Sequence, residues 1–314
     1  MQCLSQPTPP VLDVIRETVP SPFSAPREVA NATAAQPVAH EYQYAFNALR
    51  RNAPLHGAIQ DKLGKVVEGA VAWPGGLFRY QLAHKTAQAF GASAAEAESL
   101  ACATEFFHIA SLLLDDLPQM DDSMERRGRI CLHLLYGEDM VILGSLALIT
   151  RAYALLGVVV SSAPAVRQMS AHTLIDYCLG TSGVLNGQAR DLKFRKGEGG
   201  RMEVTSIALQ KTAPMLALAL LLPALLFGAD ARSMLLLRRL SVYWGLFYQG
   251  VDDFKDLLEL SVVSGKTSGQ DEKLGRPNVA LHVGQQKAEF YLHRLSRLAQ
   301  RTIADLMVIV MIMA

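Results

Sequence analysis

Two clusters of aspartate stand out in a chain otherwise poor in charge: Asp115-Asp116-Leu117-Pro118-Gln119-Met120-Asp121-Asp122 and Asp252-Asp253-Phe254-Lys255-Asp256. Each sits in or at the end of an apolar run, where carboxylates need cations. Groups of two or three hard oxygen donors are too small to enclose a metal alone. They suit Mg²⁺, whose remaining positions are filled by water and phosphate oxygens. The chemistry so implied is metal-assisted handling of a diphosphate. Asp252 and Asp256 are four residues apart and share one face of a helix. Asp115 and Asp121 fall about 240° apart around an ideal helix. They converge only if the helix breaks between them, which Pro118 can cause.

Cations accompany the acids. Glu125-Arg126-Arg127-Gly128-Arg129 follows the first cluster, and the planar fork of arginine binds phosphate oxygens bidentately. Alone, such a run is more often a solvated face than a site; beside the carboxylates it reads as the anion-binding half of a metal diphosphate site. Lys211-Thr212, Lys266 and Lys273 are further candidates, each equally readable as a surface residue.

The elements that must position these groups read as helices. Apolar runs at 98–114, 140–160, 213–227 and 234–251 are punctuated by Gly and Pro, and strand-like alternation is scarce. The 314 residues suffice for one large helical domain with a continuous core. Residues 1–40, rich in Pro, Ala, Ser and Thr, read as a flexible extension ahead of a domain over 41–314. The apolar run at 213–228 is short of the roughly 20 residues a membrane span needs, and 140–160 contains Arg151, so no membrane span is expected. No secretory signal is apparent. Cys3, Cys102, Cys131 and Cys178 lack metal-ligand spacing and read as buried thiols in a reducing cytoplasm. A net charge of +1, with no aromatic-interleaved basic patch, gives no hint of nucleic-acid binding.

Phe107-His108 through Asp122, with Arg126-Arg127-Gly128-Arg129, resembles the first aspartate-rich motif of the trans-isoprenyl diphosphate synthases, and Tyr248-Gln249-Gly250-Val251-Asp252-Asp253-Phe254-Lys255-Asp256 resembles the second. Gly187-Gln188-Ala189-Arg190-Asp191, Lys211-Thr212 and Gly265-Lys266 with Asp271 are similar to intermediate and following motifs, so the likeness runs over roughly 43–300. It implies an all-α antiparallel bundle of ten or more helices around a central cavity, commonly a homodimer. It further implies about three Mg²⁺ held by Asp115, Asp116, Asp121, Asp252, Asp253 and Asp256. Arg126, Lys211, Thr212, Gln249 and Lys266 would serve an allylic diphosphate (dimethylallyl, geranyl or farnesyl), and Arg79, His108 and Arg127 would serve isopentenyl diphosphate. Asp115, Asp116, Asp252 and Lys211 would carry the catalysis, a head-to-tail condensation. Small residues at Ala110 and Ser111, with two extra residues inside the first motif, resemble the bacterial and plastid synthases that stop at C20; a C15 product, or one of C25 and longer, stays open.

Two departures accompany the resemblance. The family's Gly-Gly-Lys-x-x-Arg-Pro reads Pro74-Gly75-Gly76-Leu77-Phe78-Arg79-Tyr80, which puts Gly76 where the lysine belongs; Arg129-Ile130 replaces the usual x-Pro after Gly128. The missing lysine motivates a competing reading, a weakly active or regulatory subunit of a heteromeric synthase. A class I terpene cyclase is a poorer match, because its second metal motif normally mixes Asn, Ser or Thr with Glu. A helical scaffold without chemistry leaves the motif carboxylates unexplained.

Overall fold

The computed structural model describes residues 35–55, 57–195, 200–258, 276–279, 282 and 284–313. Among them are eleven helices: α1 Ala35–Asn52, α2 Asp61–Ala72, α3 Phe78–Ala89, α4 Ala94–Asp115, α5 Leu132–Tyr136, α6 Glu138–Ser162, α7 Ala165–Leu179, α8 Val184–Lys193, α9 Arg201–Leu226, α10 Ala231–Leu258 and α11 Gln285–Met313. The four apolar runs of the sequence fall in α4, α6, α9 and α10. The first described helix starts at Ala35, inside the expected extension; residues 1–34, and Cys3 with them, lie outside the described residues.

Helix α4 starts with a capping box, in which the Ser93 hydroxyl accepts from the Glu96 N–H and the Glu96 carboxylate accepts from the Ser93 N–H. It packs against α3 on one side and α6 on the other, while α9 contacts α3, α4, α7, α8 and α10. One continuous core runs through these elements, with Leu49, Leu100, Phe106, Leu148, Leu156, Leu216, Leu218 and Leu222 almost wholly buried. A smaller cluster of Phe247, Val251, Phe254, Leu292 and Leu295 joins α10 to α11.

Two sequence expectations need correction. The length argument against membrane spans does not hold: α4, α6 and residues 202–226 of α9 are long and apolar enough to cross a bilayer. Burial accounts for two of them, since 67% of the apolar window of α4 and 72% of that of α9 is covered by the fold, against 39% for α6. Arg151 of α6 is not a solvent-facing interruption. It donates to the backbone carbonyl of Asn52 at 2.9 Å and to its side chain at 3.3 Å, closing the C-terminal end of α1. The scarcity of strand signal also hid one ribbon. Glu125–Arg126 (β1) and Arg129–Ile130 (β2) pair antiparallel around Arg127-Gly128, whose φ values of 56° and 73° are both positive, as a two-residue type I′ hairpin turn requires.

Candidate active site

Three local devices bring the motif side chains together. The first is the break expected at Pro118. Helix α4 ends at Asp115, and the following loop folds back so that the Asp121 N–H donates to the Asp115 carbonyl at 3.0 Å and the Ser123 N–H to the Asp116 carbonyl at 3.2 Å. Asp122 takes φ 48°, a conformation that Asp tolerates better than most residues. Asp121 is thereby returned to the end of the helix that carries Asp115.

The second device is Gly187. A Cβ there would collide with the backbone of Gln210 and Lys211, so its absence lets α8 cross directly on α9. That crossing aims Gln188 and Asp191 into the site: Gln188 Nε2 donates to Asp115 Oδ1 at 2.9 Å, and Lys211 Nζ donates to Asp191 Oδ2 at 2.8 Å. The third is Gly245, where a Cβ would lie 2.7 Å from that of Ala213. Helix α10 therefore lies close on α9, and Gln249 accepts from Thr212 Oγ1 at 2.8 Å while donating to Asp253 Oδ1 at 3.0 Å.

The electrostatics follow from burial. Desolvation pushes the Asp115 carboxyl up to about 6, with the Lys211 ammonium opposing it and Asp121 adding to it. Burial works against the charge on Lys211 as well, yet the surrounding Asp191, Asp115 and Asp121 carboxylates outweigh it and raise its pKa. Three carboxylates thus gather around one ammonium. Asp116 is committed elsewhere, gripped by Arg126 Nε at 2.7 and 2.8 Å from its two oxygens. Asp253 is 1% exposed and accepts from the Val279 N–H at 2.7 Å, whereas Asp252 is exposed. Asp256 lies one turn beyond Asp252 on α10, its side chain outside the described residues, as are Lys266, Asp271 and Lys273.

A second group of charges lies on the α3 side of α4. Arg79 Nη1 stands 3.1 Å from His108 Nε2. Arginine only donates, so Nε2 accepts and the imidazole is neutral with its proton on Nδ1. Burial first, then Arg79 and Arg127, hold the His108 pKa well below its usual value. Glu105 is 1% exposed beneath this pair and accepts from the Tyr80 N–H at 2.9 Å. Burial raises its pKa, and the Arg79 guanidinium limits the rise. Ala110 is closed into the core. Ser111 is partly exposed, with its hydroxyl on the His108 carbonyl at 2.8 Å.

The carboxylate-only donor set of Asp115, Asp121 and Asp252 suits a hard divalent cation such as Mg²⁺. Among the described residues no three acidic, imidazole or thiol groups are already gathered as a metal centre. Among the described residues, Lys211, Arg126 and Arg276 are cations that lie among the acids.

The Polyprenyl synthetase family profile matches residues 60–307. The chain belongs to that family. Among curated relatives it is 34% identical over 214 residues to geranylgeranyl pyrophosphate synthase 3 of Arabidopsis thaliana, covering 67% of this chain and 59% of the plant protein. It is 31% identical over 261 residues to the chloroplastic geranylgeranyl pyrophosphate synthase of Capsicum annuum, covering 81% of this chain and 70% of that one. The chain thus spans about 59% of the length of the first of these. Among solved structures, a geranyltransferase from Legionella pneumophila superposes with a TM-score of 0.74 at 20% identity, over 86% of this chain and 90% of that one. A geranyltransferase from Helicobacter pylori, complexed with magnesium and isoprenyl diphosphate, gives 0.67 at 22% identity, over 86% and 97%. These likenesses establish the all-α fold of the polyprenyl synthetases for this chain.

Three site residues were passed over by the sequence reading. Glu105 left a signal, a lone acid inside an apolar run, and Asp191 was read only as part of a motif. Arg276 left none. It comes from the far end of the chain to donate to the Met120 carbonyl at 2.8 Å and to Asp121 Oδ1 at 3.3 Å, with Asp191 Oδ2 3.9 Å away.

Proposed function

We propose that this polyprenyl synthetase is a Mg²⁺-dependent prenyltransferase that condenses isopentenyl diphosphate with an allylic diphosphate and stops at C20. The observation that carries the reading is the placement of two cationic groups on either side of α4. Lys211 and Arg276 lie among Asp115, Asp121 and Asp191, and Arg79 and Arg127 lie by neutral His108 and buried Glu105. A two-substrate diphosphate reaction requires two such anion sites. The names of the plant relatives and of the Helicobacter structure support the same reading.

Asp115, Asp121 and Asp252 would hold the cations, with Asp256 completing the second face. Mg²⁺, when bound, supplies charge neutralisation for the departing diphosphate. Asp116 and Asp253, already held by protein donors, orient Arg126 and Gln249. Lys211 would stabilise the charge that develops on the leaving oxygen. The allylic C–O bond breaks with its electron pair leaving on the diphosphate, and the isopentenyl double bond attacks the resulting cation. The proton then lost from the condensed intermediate goes to the released diphosphate. Arg79, Arg127 and the Nδ1–H of His108 hold the isopentenyl diphosphate for that attack.

Chain length is set along one stripe of α4. Asp115, Ser111 and Phe107 are spaced i, i+4, i+8 on a single face, so Phe107 lies about 12 Å below the aspartate at 1.5 Å per residue. Small Ser111 lets the growing chain pass. The Phe107 ring, 5.0 Å from that of Tyr153 on α6 and nearly perpendicular to it, closes the path. The working form is a homodimer: α6 exposes Ile142, Leu146 and Tyr153 along one face, with Leu134 and Leu135 of α5 beside it, a pattern that a second copy would cover. Buried, unpaired Cys102, Cys131 and Cys178 suit a reducing compartment such as the cytoplasm.

Incubating the full chain with Mg²⁺, isopentenyl diphosphate and each allylic diphosphate, then weighing the products, tests this reading. A C20 diphosphate is expected. No condensation with any allylic partner would leave the regulatory-subunit reading in its place.

A further inference from the structure

The loop that lacks the family's lysine is locked to the hairpin that carries the arginines. Gly75 has φ 82°, and a Cβ there would collide with the Arg127 guanidinium, which also donates from Nη1 to the Trp73 carbonyl at 3.0 Å. Two non-glycine residues, Leu77 at φ 53° and Arg127 at φ 56°, take left-handed conformations in the two interlocked segments. Each costs on the order of 1 kcal/mol, so the surrounding structure must hold them there. On β2 of the hairpin, Arg129 lies with its Cζ 3.3 Å from the centroid of the Trp73 ring. Trp73 is 55% exposed. An exposed tryptophan is an unusual tenant for the rim of a polar loop, and its indole face here serves as a shelf for a guanidinium.

The hairpin ladder pairs Arg126 with Arg129, so these two share one face of the ribbon; Arg127, in the turn between them, and Arg129 both reach residue 73, one through its carbonyl and one through its ring. Arg126 is spent on Asp116. Arg129 has no carboxylate partner among the described salt bridges of the hairpin, and a guanidinium stacked by its face keeps its edge donors available.

We propose that Arg129, laid on the Trp73 ring, supplies the cation that Gly76 does not, completing with Arg127 and Arg79 the pocket for the terminal phosphate of a homoallylic diphosphate. The proposal rests on the isopentenyl diphosphate assignment above and explains how the chain dispenses with a lysine at position 76. The stacked guanidinium replaces a flexible ammonium by a planar, pre-oriented donor, so less rotamer freedom is lost on binding.

Steady-state kinetics on purified full-length variants test it. Arg129→Gln is expected to raise the KM for isopentenyl diphosphate about tenfold, the order of one lost charge-assisted contact, while the KM for the allylic substrate moves less than twofold. Trp73→Leu, which removes the shelf but no charge, should move the same KM in the same direction by a smaller factor. Gly76→Lys should restore the KM of Arg129→Gln to near the parent value and change the parent itself little. A purely structural role would instead lower the melting temperature, shift both KM values together and show no rescue; that outcome, or an unchanged isopentenyl KM in Arg129→Gln, overturns the proposal. Arg79→Gln and Arg127→Gln measured alongside separate the two levels. If they raise the isopentenyl KM and Arg129→Gln does not, the Arg129 proposal fails alone; if none of the three does, the isopentenyl site assignment fails and the proposal with it.

Discussion

Arg276 stands 3.3 Å from the carboxylate of Asp121, a residue 155 positions earlier in the chain, with its side chain only 8% exposed. Three residues on, the Val279 N–H donates to Asp253, and Asn278 donates to the Asp253 carbonyl at 3.1 Å. One short segment therefore touches both aspartate clusters. Its guanidinium neutralises an acid that, in the proposed reaction, faces a metal ion.

Removing that guanidinium should cost the metal-free protein more than the loaded one. Arg276→Gln leaves the Asp121 charge poorly compensated, and a loss of about 1–3 kcal/mol is expected. Mg²⁺ with inorganic diphosphate, binding only the folded state, should narrow the gap to the parent. Thermal unfolding with and without Mg²⁺ and diphosphate checks this; an equal deficit in both conditions would show that Arg276 merely packs.

Glu105 is the buried counterpart on the other side of α4. Glu105→Ala removes the acceptor for the Tyr80 N–H and the negative charge that compensates Arg79, so about 2–3 kcal/mol of stability should go. Glu105→Gln keeps the acceptor and loses the charge. It should lose less stability than Glu105→Ala, since the acceptor remains while the Arg79 charge is left uncompensated, and bind isopentenyl diphosphate less tightly, with the allylic KM unmoved. Denaturant unfolding combined with two-substrate kinetics separates these effects.

Much of this was legible from residue types and spacing. Asp115 and Asp252 could be picked out because a carboxylate in an apolar run is expensive, and the break at Pro118 followed from helix periodicity. Arg276 and Glu105 could not be found in the same way. The first acts through a contact spanning half the chain, and the second is a single acid whose partners, Tyr80 and Arg79, lie on another helix. The hairpin escaped because two-residue strands carry no alternation to read, although Gly128 in a positive-φ turn was its only local trace. The length estimate for membrane spans failed because α9 does not begin at the apolar run at 213 but extends upstream of it, through Lys211, to Arg201.

Product length offers a steric check. Ser111→Phe should fill the stripe one turn below Asp115 and shorten the main product to C15, since a dense interior does not readily yield to an added ring. Phe107→Ala should lengthen it past C20 by removing the ring that meets Tyr153. Mass analysis of extracted products reads both; unchanged distributions would move the floor away from α4.

The apolar face of α6 predicts assembly. Ile142→Glu with Leu146→Glu should convert a dimer to a monomer in light scattering, since both side chains are exposed in the single chain and burying two carboxylates in an apolar interface is costly. A parent that is already monomeric would rule out this face as a homodimer contact.

In the proposed reaction the first aspartate cluster supports departure of the allylic diphosphate. Single-turnover release of diphosphate, with Mg²⁺ and both substrates saturating, tests it in the parent and in Asp115→Ala. Asp115→Ala should be slower by about three orders of magnitude, the scale on which losing a group that stabilises developing charge is felt, with helical content unchanged by circular dichroism. Release at a rate near that of the parent would remove Asp115 from the step in which the diphosphate departs.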